Sequence, residues 1–145
     1  MIRLAVDDDF NALVDMGMEA SSTIPRYDGV IVPNRESMEQ LFRNLLTNPS
    51  VFFAVLGPVG EPYGMLPATV SLHPITGERT IFAHFWWVDP KKRGHGLDLL
   101  RAYFAWGKEM QVTSYQIGGS SRRVARLYYR FGFKKIEELF ALKVK

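Results

Sequence analysis

Cysteine is missing from all 145 residues. Disulfides, thiolate metal sites and a thiol nucleophile are therefore out of the question, and no metal centre is expected. Long hydrophobic runs are missing too: no stretch of about eighteen apolar residues occurs, so no helical membrane span is expected. The opening MIRLAVDDDF has acids where a signal peptide would carry its apolar segment, and a cytoplasmic location is the economical expectation. A strong charge of one sign is also lacking. The formal net charge is +3, which demands neither a nucleic acid nor a membrane surface as partner. Internal repeats, low-complexity tracts and linkers are absent, so one domain spanning residues 1–145 is expected.

What the chain does have is a strand, a glycine loop and a helix in immediate succession. Thr80 to Val88 is apolar and aromatic, and Asp89-Pro90 stops it. Lys91, Lys92, Arg93, Gly94, His95 and Gly96 make a short basic loop. A helix then opens, with Leu97, Leu100, Phe104 and Gly107 on one side and Leu99, Tyr103 and Trp106 on the next. This order gathers free backbone N–H groups and the positive end of a helix dipole at one point, a natural seat for phosphate or pyrophosphate. The loop is no Walker A sequence, for no Gly-Lys-Ser/Thr follows the glycines. Nor is it a dinucleotide fingerprint, since Leu99 stands at the third glycine position. A second basic run, Arg122, Arg123, Arg126 and Arg130, would complete a polyphosphate pocket if it folded beside the first.

Elsewhere the spacing predicts a strand over Ile2–Val6 and a helix carrying Leu13, Val14, Met16 and Met18, with Asp7, Asp8 and Asp9 as cap and first-turn acids. A loop from Ile24 to Pro33 leads to an Asn34-capped helix with Met38, Leu41, Phe42, Leu45 and Leu46 at helical spacing. Val51–Leu56 and Met65–His73 read as strands, and Pro67 places the second at an edge or a bulge. Thr113–Ile117 is a short strand, Ser121–Phe131 a helix ended by Gly132, and Phe133–Val144 a closing strand whose alternation is clearest from Leu139 onward.

Two segments carry a family resemblance. Val88, Pro90, Arg93, Gly94 and Gly96 resemble motif A of the GNAT N-acetyltransferase superfamily, and SRRVARLYYRFGF resembles its motif B through Leu127, Tyr128, Gly132 and Phe133. The order β-α-α-β-β-β-α-β-α-β is similar to that of the same superfamily. The resemblance implies an α/β (α+β) fold, a mixed, mostly antiparallel twisted sheet flanked by four helices, with splayed central strands.

It also implies acetyl-CoA as cofactor and acetyl transfer to a primary amine by direct attack. The backbone of Trp86, Trp87 and Val88 would pair with pantetheine at a bulge near Trp86, and an N–H there would hold the oxyanion. The amides of Lys92, Arg93, Gly94, His95, Gly96 and Leu97 would hold the pyrophosphate. Tyr128 is implied as the acid for the departing thiolate, with Tyr129 beside it. Ser121 stands where the motif has asparagine, and could bond the pantetheine arm through its hydroxyl. His84 matches a histidine position of the arylalkylamine acetyltransferases, which makes it the candidate general base; a strand carboxylate common in histone-type members is missing near Phe82. His73 and His95 are expected to face solvent. Arg26 and Tyr27, with Asp28, are the polar candidates for the acceptor site, but no acceptor class follows from them. Relatives often dimerise, so a homodimer is a further expectation.

Two other readings use the same residues. One is a GNAT-fold module that binds acyl-CoA or a partner without turnover, favoured by Ser121 and the missing carboxylate. The other is a nucleic-acid-binding domain in which Tyr128, Tyr129 and Trp106 stack bases. The latter leaves the Val-x-Pro-x-x-Arg-Gly-x-Gly pattern unexplained, and no nucleic-acid partner is expected.

Overall fold

A computed structural model describes residues 2–23, 29–119 and 121–144. Its six strands are β1 (Ile2–Leu4), β2 (Val51–Leu56), β3 (Gly64–Leu72), β4 (Arg79–Ala83), β5 (Trp87–Val88) and β6 (Ser114–Ile117). Four helices accompany them: α1 (Phe10–Ser22), α2 (Arg35–Thr47), α3 (Gly96–Glu109) and α4 (Arg122–Arg130). The sheet runs β1-β2-β3-β4-β6, and β5 pairs with β3 beyond the end of β4. Every pairing is antiparallel except β4 with β6. This is the expected mixed, mostly antiparallel sheet with four helices.

Alternation along the strands gives the sheet two apolar faces. Ala54, Leu56, Leu66, Ala68 and Ile81 pack under α3 with Leu99, Leu100 and Tyr103. Val55, Met65 and Phe53 turn the other way, onto Leu13 and Val14 of α1 and Phe42 and Leu45 of α2. Tyr103 is fully buried, and its hydroxyl reaches the carbonyl oxygens of Ile81 in β4 at 3.1 Å and Gln116 in β6 at 2.8 Å.

The expected single strand from Thr80 to Val88 is two pieces. Ala83 faces Ala68 and Trp87 faces Met65, so three residues, 84 to 86, oppose two, 66 and 67. That is a β-bulge. Its cause lies across the ladder: the Pro67 carbonyl accepts from the His84 amide, so the Pro67 nitrogen also faces β4, where proline has no N–H to give. The extra residue resets the side-chain phase. Ile81 and Ala83 lie in the α3 core and Phe85 and Trp87 against the α1–α2 core, with His84 on the same face as Phe85.

Two further expectations need correction. Asp9 does not cap α1 with its side chain. It is fully buried, bound by Arg3 at 2.7 and 2.9 Å and by the amides of Val6 at 2.9 Å and Gly60 at 2.8 Å. Burial alone would raise its pKa, but those donors together hold it down to about 2. The closing strand does not form either. Residues 134–144 are all exposed and adopt no regular structure, and among the described residues no strand pairs with them.

Candidate active site

The bulge opens the sheet on one side. The β4–β6 ladder runs from Thr80 with Ser114 to Ala83 with Ile117, and β5 continues without β6. Asp89 donates to the Tyr63 carbonyl at 2.8 Å, so by alternation the Trp87 backbone faces β3 while those of Trp86 and Val88 face away from it. Among the described residues no strand covers that outer edge of β5. Of the three strand residues named from the sequence, Trp86 and Val88 therefore present free backbone groups. Trp87 does not, because its own are spent on the ladder with Met65.

At the end of β5 the chain turns on Asp89. Its side chain accepts from the Lys91 amide and its carbonyl from the Lys92 amide, both at 2.9 Å, around a short 3-10 turn, Pro90–Lys92. The Lys92 amide is thus unavailable to a ligand, and the Lys92 ammonium lies over the Tyr63 ring at 5.3 Å. The Asp98 amide is likewise taken, by the carbonyl of His95 at 3.0 Å. Between these two, the amides of Arg93, Gly94, His95, Gly96 and Leu97 have no acceptor among the described residues. Gly94 makes this run possible with φ of +131°, a conformation closed to other residues, and open space surrounds it. The His95 ring is exposed, with Nδ1 3.4 Å from Asp98, as expected of a solvent-facing histidine.

Trp86 joins loop to cleft. Its indole N–H donates to the Gly96 carbonyl at 2.9 Å, and its ring lies 5.9 Å from that of Tyr128. Tyr128 is 7% exposed and donates its hydroxyl hydrogen to the Gly118 carbonyl at 2.9 Å. Burial pushes this phenol well above its ordinary pKa, so it stays a proton donor at any physiological pH. Tyr129, one position on, is 53% exposed. α4 places Tyr128 firmly: Ser121 caps the helix by accepting from the Val124 amide at 3.2 Å. At the other end Gly132 and Phe133 donate to Tyr129 and Tyr128 in a Schellman motif, with φ of +94° at Gly132. The Ser121 oxygen is thus committed to its helix, leaving its hydroxyl hydrogen to donate elsewhere.

His84 lies on the opposite face of the sheet from Trp86. Its Nε2 is 2.6 Å from the Thr69 hydroxyl and its ring stands edge-on to Phe82. The surrounding protein desolvates it and lowers its pKa, so the neutral imidazole is favoured near neutrality. Among the described residues Nδ1 has no partner. With the proton on Nε2 facing Thr69, the Nδ1 lone pair is free to accept one. Arg26 and Tyr27 lie outside the described residues.

Trp86, Gly96, Val88 and Tyr128 are thus brought together on the α3 side of one opening, with His84 across the sheet. Sequence reasoning missed Asp89 as the residue that shapes the loop, although an Asp two residues before a free amide is an ordinary Asx-turn signal. It also missed Thr69, for which no sequence signal existed.

No protein-family model matches the chain, and no curated protein matches it. Solved structures do. A mutant of the BH1408 protein from Bacillus halodurans superposes with a TM-score of 0.82 at 15% identity, covering 100% of this chain and 99% of the other. A predicted acetyltransferase from Clostridium acetobutylicum, solved with acetyl-CoA, gives 0.78 at 19% identity, covering 99% and 95%. An aminoglycoside 6'-N-acetyltransferase from Acinetobacter haemolyticus gives 0.72 at 16% identity, covering 100% and 98%. At such identities the likeness establishes the fold, which is that of acetyltransferases of the GNAT type.

Proposed function

We propose that this protein, built on the acetyltransferase fold, is an acetyl-CoA-dependent N-acetyltransferase acting on a primary amine within one ternary complex. The observation that carries the reading is the run of five amides, Arg93 to Leu97, unpaired among the described residues and adjoining the outer edge of β5, which no described strand covers. A pyrophosphate offers acceptors for such a run, and an amide-bearing arm offers donors and acceptors for a strand edge. The residues present therefore fit coenzyme A. When bound, acetyl-CoA supplies an activated acetyl thioester.

The chain's own groups divide the remaining work. Arg93, Gly94, His95, Gly96 and Leu97 anchor the diphosphate through their amides, and Trp86 and Val88 orient the arm. The amide of one of these two, facing the opening, stabilises negative charge developing on the acyl oxygen. Tyr128 turns its hydroxyl from Gly118 toward the sulfur and gives it a proton. His84 takes a proton from the incoming ammonium at Nδ1. The acceptor enters on the α1–α2 face, where His84 stands, and Arg26 and Tyr27 are assigned to it by sequence. Much of the rate comes from holding amine and thioester together.

One observation favours a second reading, a module that binds acyl-CoA without turnover: the Tyr128 hydroxyl already has a partner in Gly118. Coenzyme A titration combined with a thiol-release screen across amine classes separates the two. Binding with release supports the enzyme, binding without release supports the module, and no binding sinks both.

A further inference from the structure

His84 opens the bulge, so a regular ladder does not fix where its side chain points. β3 holds it twice instead. The Pro67 carbonyl accepts its backbone N–H at 2.8 Å, and two residues on, the Thr69 hydroxyl meets Nε2 of its ring at 2.6 Å. Thr69 pairs with Phe82 in the ladder, which makes His84 its diagonal neighbour, within reach only of side chains that lean together. Ala68 packs under α3, so Thr69 turns to the other face of the sheet, the one His84 shares. Phe82 flanks the ring edge-on, with centroids 5.2 Å apart.

These contacts set more than the direction of the ring. A neutral imidazole carries one N–H and one lone pair. With the hydrogen on Nδ1, that N–H has no acceptor among the described residues; with it on Nε2, the Thr69 oxygen accepts it. We propose that Thr69 is a positioning residue for acetyl transfer, its hydroxyl keeping the ring hydrogen on Nε2 so that Nδ1 meets the amine with its lone pair. The inference rests on the acetyl-transfer reading and on His84 as the base within it. In the step, an N–H bond of the incoming ammonium breaks and an Nδ1–H bond forms. The amine nitrogen keeps the electron pair and attacks the acetyl carbon with it. Nε2–H stays on Thr69 throughout, so the ring need not turn.

Among the described residues no charge competes for the ring. β3 meets it with Thr69 and β4 with Phe82, and β6 sets Gln116 opposite Phe82; all three are uncharged. On the helices of this face, Asp15 of α1 and Glu39 of α2 are both bound to Arg35, and Arg43 lies over Phe10. Burial is what lowers the His84 pKa. The Thr69 oxygen accepts from imidazole and imidazolium alike, but the bond from the charged donor is the stronger. Removing that oxygen therefore lowers the pKa further.

Two variants of the full chain test this. Thr69→Val keeps the branched shape that suits a strand and removes the hydroxyl, whereas Thr69→Ser keeps the hydroxyl. Nuclear magnetic resonance on isotope-labelled histidine reads which ring nitrogen carries hydrogen, the three histidines being told apart by the signal that His84→Ala removes. Above its titration, wild-type His84 should carry hydrogen on Nε2; in Thr69→Val it should show both tautomers and titrate at lower pH. With acetyl-CoA and the fastest amine of the thiol-release screen, kcat of Thr69→Val should fall about twofold to tenfold. Equal tautomer populations account for a factor of about two, and lost ring orientation for the rest. The ascending limb of its kcat/KM profile should move to lower pH while coenzyme A affinity stays unchanged, and Thr69→Ser should restore tautomer, rate and profile. Hydrogen on Nδ1 in the wild type overturns the proposal. So does a Thr69→Val variant with unaltered tautomer or profile, or a loss that Thr69→Ser does not restore. A wild type that binds coenzyme A but releases no thiol with any amine overturns the acetyl-transfer reading, and this proposal with it.

Discussion

Replacing Gly94 with alanine tests the anchoring loop without touching the core. Gly94 sits at φ of +131° and a Cβ there meets nothing within 4 Å. The cost is therefore backbone strain alone, about 1–3 kcal/mol for a residue forced into a region reserved for glycine. The loop is exposed, so the strain relaxes by turning the peptide units on either side of residue 94. Those are the units whose amides the proposed diphosphate site uses. If the whole strain must be overcome on binding, affinity for coenzyme A falls roughly 5- to 140-fold. The melting temperature should fall by no more than about 2–12 °C, since a stability loss of that whole size shifts a chain of this length by about 2–4 °C per kcal/mol and the exposed loop relaxes part of it.

Gly77→Ala is the matched control, with φ of +71° and equally open surroundings in the turn between β3 and β4. It carries comparable strain far from the loop, and coenzyme A affinity should be unchanged. Isothermal titration calorimetry and thermal unfolding on both variants decide the matter. Equal affinity in wild type and Gly94→Ala would refute the reasoning, as would an equal loss in both glycine variants.

Three other outcomes are expected. Tyr128→Phe should lower kcat by about tenfold or more while coenzyme A affinity stays within about twofold, read by steady-state thiol release and calorimetry; unchanged kcat removes the acid role. His84→Ala should abolish the ascending limb of the kcat/KM profile, which in the wild type lies below the ordinary histidine value of about 6.5, because burial lowers this group's pKa; an identical profile reduces His84 to packing. For Asp9 the folded pKa is depressed to about 2 from an ordinary 3.8. Its contribution, about 2 kcal/mol, is therefore present above pH 4 and lost as pH falls toward 2. Urea unfolding from pH 7 to pH 2 should show that loss in the wild type and not in Asp9→Asn, which starts less stable because Arg3 loses its partner.

The anchoring loop and α4 were legible because local chemistry determines them: glycine where φ is positive, an Asp-Pro stop, a serine cap and a glycine terminator. The bulge was legible in part, since Pro67 announced a break in a ladder and the family resemblance placed one near Trp86. Its exact span was not, because register depends on which residue of a distant strand lies opposite. Asp9 was misread, since an acid in a row of three looks like a first turn; only tertiary folding brings Arg3 and Gly60 to it. Residues 134–144 have a strand pattern and form no strand here. Alternation records a capacity for pairing, while a ladder requires an available neighbour.

Tyr103 sets how deep the opening between β4 and β6 goes. By gripping one carbonyl from each of the two parallel strands just before they separate, it works like a rivet at the end of a slit. Prising the strands further apart would strip its hydroxyl of both acceptors inside the core. How far the two strands stay zipped is thus written into a buried helix residue, and shortening Tyr103 to phenylalanine would let the slit run on.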